Sequence, residues 1–292
     1  MATKYLVSGS TDFGASASWA TSRYGAGGTG LPTDDDEVFI VDGSQTVTTN
    51  LDALAAVDLQ SLTVGSGFTG SIGTPGSSLE VEISNATTNP PTVVIEGNGA
   101  FVYLNLVGDG ADDVTVDASG GANVFFTAGT LTLLKLRSGN VEVQNGCDLV
   151  TCHKSGGYLH AAYDATAITT MTNSAGDARI RRTITTGTLD AGTVTLDEES
   201  SSVSHTTLNI HGASVDLAIS GTVTTANLYT GLIGPYGATV SPTITTVNRY
   251  GGMLVSRVGS TEMSIGTDND LGGKSETKAK GSQPGPSGFG SS

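Results

Sequence analysis

The chain is poor in basic side chains. Lysine and arginine total 13 against 28 aspartate and glutamate, giving a net charge of −15 at pH 7 over 292 residues. Nucleic acid binding needs a basic footprint, and this chain carries the opposite field. Its nearest approach to a basic cluster is Arg179, Arg181 and Arg182. Aromatics make up 5%, too few for rows of stacking platforms. The two cysteines, Cys147 and Cys152, are fewer than a disulfide-stapled secreted domain carries; they read as small buried residues in neighbouring strands. No apolar run approaches the ~18 residues that cross a membrane, and Met1–Ser10 has no apolar signal-peptide core. The expectation is a protein made and kept in the cytoplasm, or released by lysis inside a larger particle, with no membrane partner.

What is abundant is glycine, 41 residues, together with threonine, serine, valine and leucine. Interior glycines cost a helix roughly 1 kcal/mol each, whereas threonine and valine suit a pleated surface. The glycines recur. Ile168-Thr169-Thr170 leads to Gly176, Ile184-Thr185-Thr186 to Gly192, Val223-Thr224-Thr225 to Gly231 and Ile244-Thr245-Thr246 to Gly252, each at the same offset. With Gly121, Gly139, Gly157 and Gly212 they form a series with gaps of 18, 18, 19, 16, 20, 19 and 21. Short alternating runs follow, such as Asn140–Val143, Tyr158–Ala161, Thr193–Leu196 and Ser214–Leu217.

This pattern predicts an all-β fold, a single-stranded parallel β-solenoid, with one bend glycine per rung and backbones stacked about 4.8 Å apart. The uneven gaps point to the right-handed, irregular kind of β-helix. The rival is an antiparallel sandwich, whose turns come every 8–12 residues. The expected divisions are an N-terminal arm or cap at 1–50, early irregular rungs at 51–112, regular solenoid at 113–265 and a flexible Gly/Ser/Pro tail at 266–292. Asn50–Leu59 reads either as a short helix capped by Asn50 or as another rung.

Candidate chemistry is sparse. His153, His160, His205 and His211 lack metal-binding spacing and read as surface or rung-stacking residues. The acidic groups Asp34-Asp35-Asp36-Glu37, Asp112-Asp113, Asp197-Glu198-Glu199 and Asp268-Asn269-Asp270 read as solvated loops. A carboxyl pair on adjacent rungs at glycosidase distance stays open. Asp109, Asp112 and Asp113 could offer calcium some oxygen ligands, outside any EF-hand. Gly25–Gly30 is followed by Leu31-Pro32 and acids, not by a helix, and reads as a flexible loop and not a phosphate cradle. No catalytic residue, cofactor or metal ligand is assigned.

Trp19, the glycine-rich 25–30 stretch, the run from Leu31-Pro32-Thr33-Asp34 to Val38-Phe39-Ile40, and Gly67-Phe68-Thr69-Gly70-Ser71-Ile72-Gly73 together resemble the opening of β-helical structural proteins of tailed bacteriophages and some bacterial surface proteins. The resemblance covers about the first quarter of the chain. It implies a virion or surface assembly, with no catalytic residues to carry over. The leading expectation is therefore a non-enzymatic phage virion protein, a capsid decoration or cement protein. Its partners would be the major capsid protein and copies of itself, as a homotrimer. Attachment is expected through residues 1–24, with Tyr5, Phe13, Trp19 and Tyr24, and through the tail around Phe289. The alternatives are a tail fibre or tailspike binding host glycans through tyrosines such as Tyr158, Tyr229 and Tyr250, and a bacterial adhesin.

Overall fold

The computed structural model describes residues 2–83, 92–107, 113–117, 121–198, 202–239 and 241–272. Among these the only helix is a 3-10 turn at Ser16–Ser18; nearly everything else with regular structure is strand. The strands stack in parallel. Cys147–Lys154 pairs with Ile168–Asn173, which pairs with Ile184–Leu189, and so on through His205–Ile210, Thr222–Leu228, Thr243–Arg249 and Ser264–Asp270. A second parallel ladder alternates with the first along the chain and runs through Asn140–Val143, Tyr158–Ala161, Asp177–Ile180, Thr193–Asp197, Ser214–Ala218, Leu232–Gly234 and Met253–Leu254. The fold is a parallel β-solenoid. Among the described strands two pairs are antiparallel: Thr3–Leu6 with Trp19–Ala20 at the N-terminal end of the stack, and the small separate hairpin of Arg257–Val258 with Thr261–Glu262.

Pairing extends further at both ends than the sequence divisions place it. Thr3–Leu6 already runs parallel to Glu37–Gly43, and Ser264–Asp270 still completes a rung. Asn50–Leu59 is not a helix. Leu54–Leu59 is a strand on Leu79–Ile83, with a register irregularity between Leu54 and Asp58, because Leu54 and Leu59 must both reach the core. Asn50 is left-handed (φ 50°) and its amide donates to Asp12 at 2.7 Å.

The six strands of the first ladder from Cys147–Lys154 to Thr243–Arg249 each reach a partner in the second through a bend of three residues: 155–157, 174–176, 190–192, 211–213, 229–231 and 250–252. The return is variable, six residues at 162–167 but three at 181–183 and 219–221. The uneven glycine spacing arises on that return side. The bends explain the glycines. At Gly157, Gly176 and Gly192 φ is +65°, +73° and +80°, a region L side chains avoid. A Cβ at Gly192 would also lie 2.0 Å from the carbonyl oxygen of Gly176 on the rung beside it. Two glycines of the predicted series fall one residue early. Ala122 and Ala213 supply the carbonyls that receive Asn140 N and Leu232 N, the bond that Gly139 makes with Tyr158 N, so they hold the column, and Gly121 and Gly212 precede it.

Inward side chains stack in register. Leu134, Cys152, Met171, Gly187, Leu208, Ala226 and Val247 form one such column. Large and small residues alternate, as close packing requires; a Cβ at Gly187 would already meet Leu208 at 3.0 Å. Cys147 and Cys152 lie in one strand and not in neighbouring ones, both buried and free. Burial pushes both thiols up to about 12.

Several polar residues are also inside. Arg182 is fully buried. Its guanidinium donates to the carbonyls of Ala162 (2.9 Å), Cys147 (2.9 Å) and Gln144 (3.4 Å), tying the return segment to earlier rungs. Lys154 and Asn173 occupy consecutive places in one inward column. Each donates to the residue before a bend glycine, Lys154 to Ala175 O at 2.5 Å and Asn173 to Ala191 O at 2.6 Å. Burial pushes the Lys154 amine down to about 8. His205 replaces an apolar side chain in the column of Val223; its Nδ1 accepts from Ile184 N at 3.2 Å, and burial lowers it to about 4.

Candidate functional site

The N-terminal segment seals the first rungs and builds a cavity there. Phe13 and Trp19 are both 0% exposed. Their rings lie 5.8 Å apart and Trp19 Nε1 donates to Phe13 O at 2.9 Å. They belong to the core, because large rings in this segment cover apolar residues that no further rung would bury; neither is a surface anchor. Tyr5 is half-buried and stacks on Phe39 at 5.1 Å. Tyr24 is 85% exposed. Tyr5 and Tyr24 come together as walls of one cavity of about 220 Å³, with Leu6, Ala20, Val41 and, at the polar side, Arg23 and Asp42. The Arg23 guanidinium bonds both Asp42 oxygens at 2.7 Å and lies 5.3 Å from the Tyr24 ring centre. That pairing holds the Asp42 carboxyl below its usual range. Phe289 lies outside the described residues.

The loops around this cavity are pinned. Lys4 Nζ donates to the carbonyls of Thr29 (2.7 Å) and Gly30 (3.2 Å), and a Cβ on Gly27 would strike Ala17 O. The glycine-rich stretch is largely exposed but anchored: Gly28 N donates to Ser16 O at 3.1 Å and Thr29 N to Trp19 O at 3.2 Å. Asp36 is likewise no solvated acid: 2% exposed, it accepts from Ala2 N, Thr33 N and Thr33 Oγ1. The calcium candidates Asp109 and Asp112 lie outside the described residues, as does the side chain of Asp113. Among the described residues no group of three or more His, Cys, Asp or Glu could hold a metal ion, and no helix is long and apolar enough to cross a membrane.

A second feature lies on the outer face of the second ladder. A groove of about 360 Å³ runs across Asn123, Phe125, Asn140, Glu142, Tyr158 and His160. Its amide pair is bonded, Asn140 Nδ2 to Asn123 Oδ1 at 3.1 Å, and Phe125 stacks on Tyr103 at 4.5 Å. His160 Nδ1 lies 3.9 Å from Glu142, while its Nε2 is buried without a partner. Burial pushes the imidazole down, against the pull of Glu142. Next along, Arg179 and Arg181 converge on Asp197. Burial raises that carboxyl, but the bonds from Arg179, Glu198 N and Arg181 outweigh it and hold it low.

The third feature is an outward face of the first ladder. From Thr151 to Thr267, seven successive rungs carry threonine at one register position. Two residues further, Asn209, Asn227, Asn248 and Asn269 stack as a ladder. Each Nδ2 donates to the preceding Oδ1, at 2.8, 2.8 and 2.9 Å. Two residues further again, Tyr229 stacks on Tyr250 at 4.7 Å and 6°, with His211 edge-on at the near end and paired to Asp190 at 3.1 Å. The Thr-x-Asn spacing at 207, 225, 246 and 267 is the signal in the sequence that could have found this face.

Comparison of the chain with family models, with curated proteins and with solved structures gives no match. The reading of function rests on the geometry of these surfaces.

Proposed function

We propose that the protein is a non-catalytic structural component of a bacteriophage particle, a capsid decoration or cement protein held to the shell by its N-terminal end. The observation that carries this reading is the cavity beside Tyr24, which gathers Tyr5, Tyr24 and the Arg23–Asp42 pair at the end of a rigid stack. An exposed tyrosine beside an apolar recess is the kind of anchor interfaces concentrate. The opposite end closes on Asp268 and Asp270, which suits a rod fixed at one end. The resemblance in the first quarter of the chain supports the same assignment, and a trimer would match a position of local threefold symmetry. Particles lacking the protein are expected to assemble but to lose resistance to heat and osmotic shock. Particles supplied with Tyr24→Ala should bind it about tenfold more weakly. Unaltered resistance in its absence overturns the reading.

A second reading, a tail fibre or tailspike that contacts host glycans, is favoured by the groove at Phe125 and Tyr158. Aromatic walls around an amide pair, a carboxylate and a neutral imidazole suit a sugar's hydroxyls. Binding of host surface polysaccharide that is lost in Tyr158→Ala selects this reading over the first.

A further inference from the structure

We propose that the threonine and asparagine face of the first ladder is where a second copy of this chain packs, side by side. The inference deepens the particle assignment, whose trimer needs a contact between copies, but it concerns the isolated protein, and its failure would leave attachment to the shell through Tyr24 standing.

Charge is the first argument. At −15 per chain, most encounters between copies bring like charges together. This face is the exception. Across Ile168–Asn173, Ile184–Leu189, His205–Ile210, Thr222–Leu228 and Thr243–Arg249, every side chain that is not buried is threonine or asparagine. The second ladder is unlike it: Glu142, Asp177, Arg179 and Asp216 all occupy its strands. A charged partner would find its complement there and not on the neutral face.

The second argument is exposed apolar surface in continuity with that face. Tyr229, Tyr250 and Leu271 are 39%, 43% and 55% exposed and follow the asparagines by two residues, immediately past the ends of their strands at the border of the face. Across the bend, Met253 is also exposed. Tyrosine and methionine are enriched, and charge depleted, at the centres of protein interfaces.

The third argument selects the partner. The asparagine ladder spends one N–H and one lone pair of each amide along its own column, leaving the others for a neighbour. Its groups repeat with the rung spacing of about 4.8 Å. A second copy is a partner that repeats at that interval over the same number of rungs, so contacts made at one rung are made at the next. Such matched ladders of amides and stacked aromatics bind strongly, and closed symmetric homo-oligomers are the commonest assemblies.

The test is sedimentation velocity on the full chain across a concentration series. The native protein is expected to self-associate, more tightly as salt screens the residual repulsion. Thr224→Glu with Thr245→Glu places charge at exposed positions of the face and should weaken association by about tenfold or more. Tyr250→Ala, which leaves both ladders intact, should weaken it too, and melting followed by circular dichroism shows that each variant is folded. Asp177→Asn on the second ladder should change nothing. A chain monomeric at every concentration overturns the proposal. So does an assembly indifferent to these face variants, or one abolished only by changes in the last strand, Ser264–Asp270.

Discussion

Arg249 donates from Nε to Asp268 Oδ1 at 2.6 Å, joining the last two rungs at positions that continue the inward columns. Asp268 stands in register with Val247 and Asp270 with Arg249 itself. Earlier rungs carry apolar residues or glycine in the Asp268 column from Leu134 to Val247, and apolar ones in the Asp270 column at Leu189, Ile210 and Leu228, whereas the final rung offers a carboxylate in both. An exposed strand edge invites pairing with another chain, and charge pointing along the stack discourages it. Replacing both residues, Asp268→Val with Asp270→Val, is expected to lower the melt through the lost Arg249 bonds, while light scattering of the still-folded chain grows with time at neutral pH. Scattering no greater than that of the native chain would show that the carboxylates do not guard the end.

Arg182 supports the return side of three rungs by satisfying the carbonyls of Ala162, Cys147 and Gln144. Arg182→Met fills much of the volume but leaves these acceptors without their donor. A loss of about 3 kcal/mol in chemical denaturation is expected. Lys154→Met removes a buried amine with a single carbonyl bond, and should cost far less or even stabilise.

His205 ties stability to acidity. Its native value of about 4 lies below the model-compound value of 6.5. Between those limits the unfolded chain takes up a proton that the folded chain refuses, so stability falls as pH drops from 6.5 towards 4. The full effect is about 3 kcal/mol. His205→Ile should flatten that part of the profile, which denaturant melts at several pH values would read. An unchanged slope in the variant assigns the acid sensitivity elsewhere.

Glycines at positive φ differ in what surrounds them, one in a bend and one on the return side. Gly192→Ala meets both positive φ and a neighbouring carbonyl at 2.0 Å, and should lose more than about 2 kcal/mol. Gly146→Ala has positive φ but open space, and should lose only about 1 kcal/mol. Equal losses would mean that the close approach between rungs relaxes without cost.

The solenoid was legible because its bend recurs at a position of positive φ that favours glycine, at Gly139, Gly157, Gly176, Gly192, Gly231 and Gly252. It blurred at Ala122 and Ala213, where alanine holds the column and an adjacent glycine draws the eye. Inward polar residues were not legible: Lys154 and Asn173 alternate correctly with apolar neighbours, yet their type argues for the surface. Their partners are carbonyls a full rung away, about 18 to 21 residues in sequence, which local pattern does not reveal. Phe13 and Trp19 were misplaced on the surface for the opposite reason, since aromatics in an irregular segment look like anchors until a stack end needs covering. Tyr5 and Tyr24 were named singly, and their meeting in one cavity depends on Thr3–Leu6 pairing with both Trp19–Ala20 and Glu37–Gly43.

The two sides of each coil obey different rules. The three-residue bends leave no slack, because any added residue there would throw the following strand out of step and turn its core side chains to water. The return segments already differ in length from one coil to the next and absorb the difference without disturbing either ladder. New sequence, whether acquired by drift or spliced in by hand, has room to enter at 162–167, so the molecule can change what it displays along that flank while its frame stays the same.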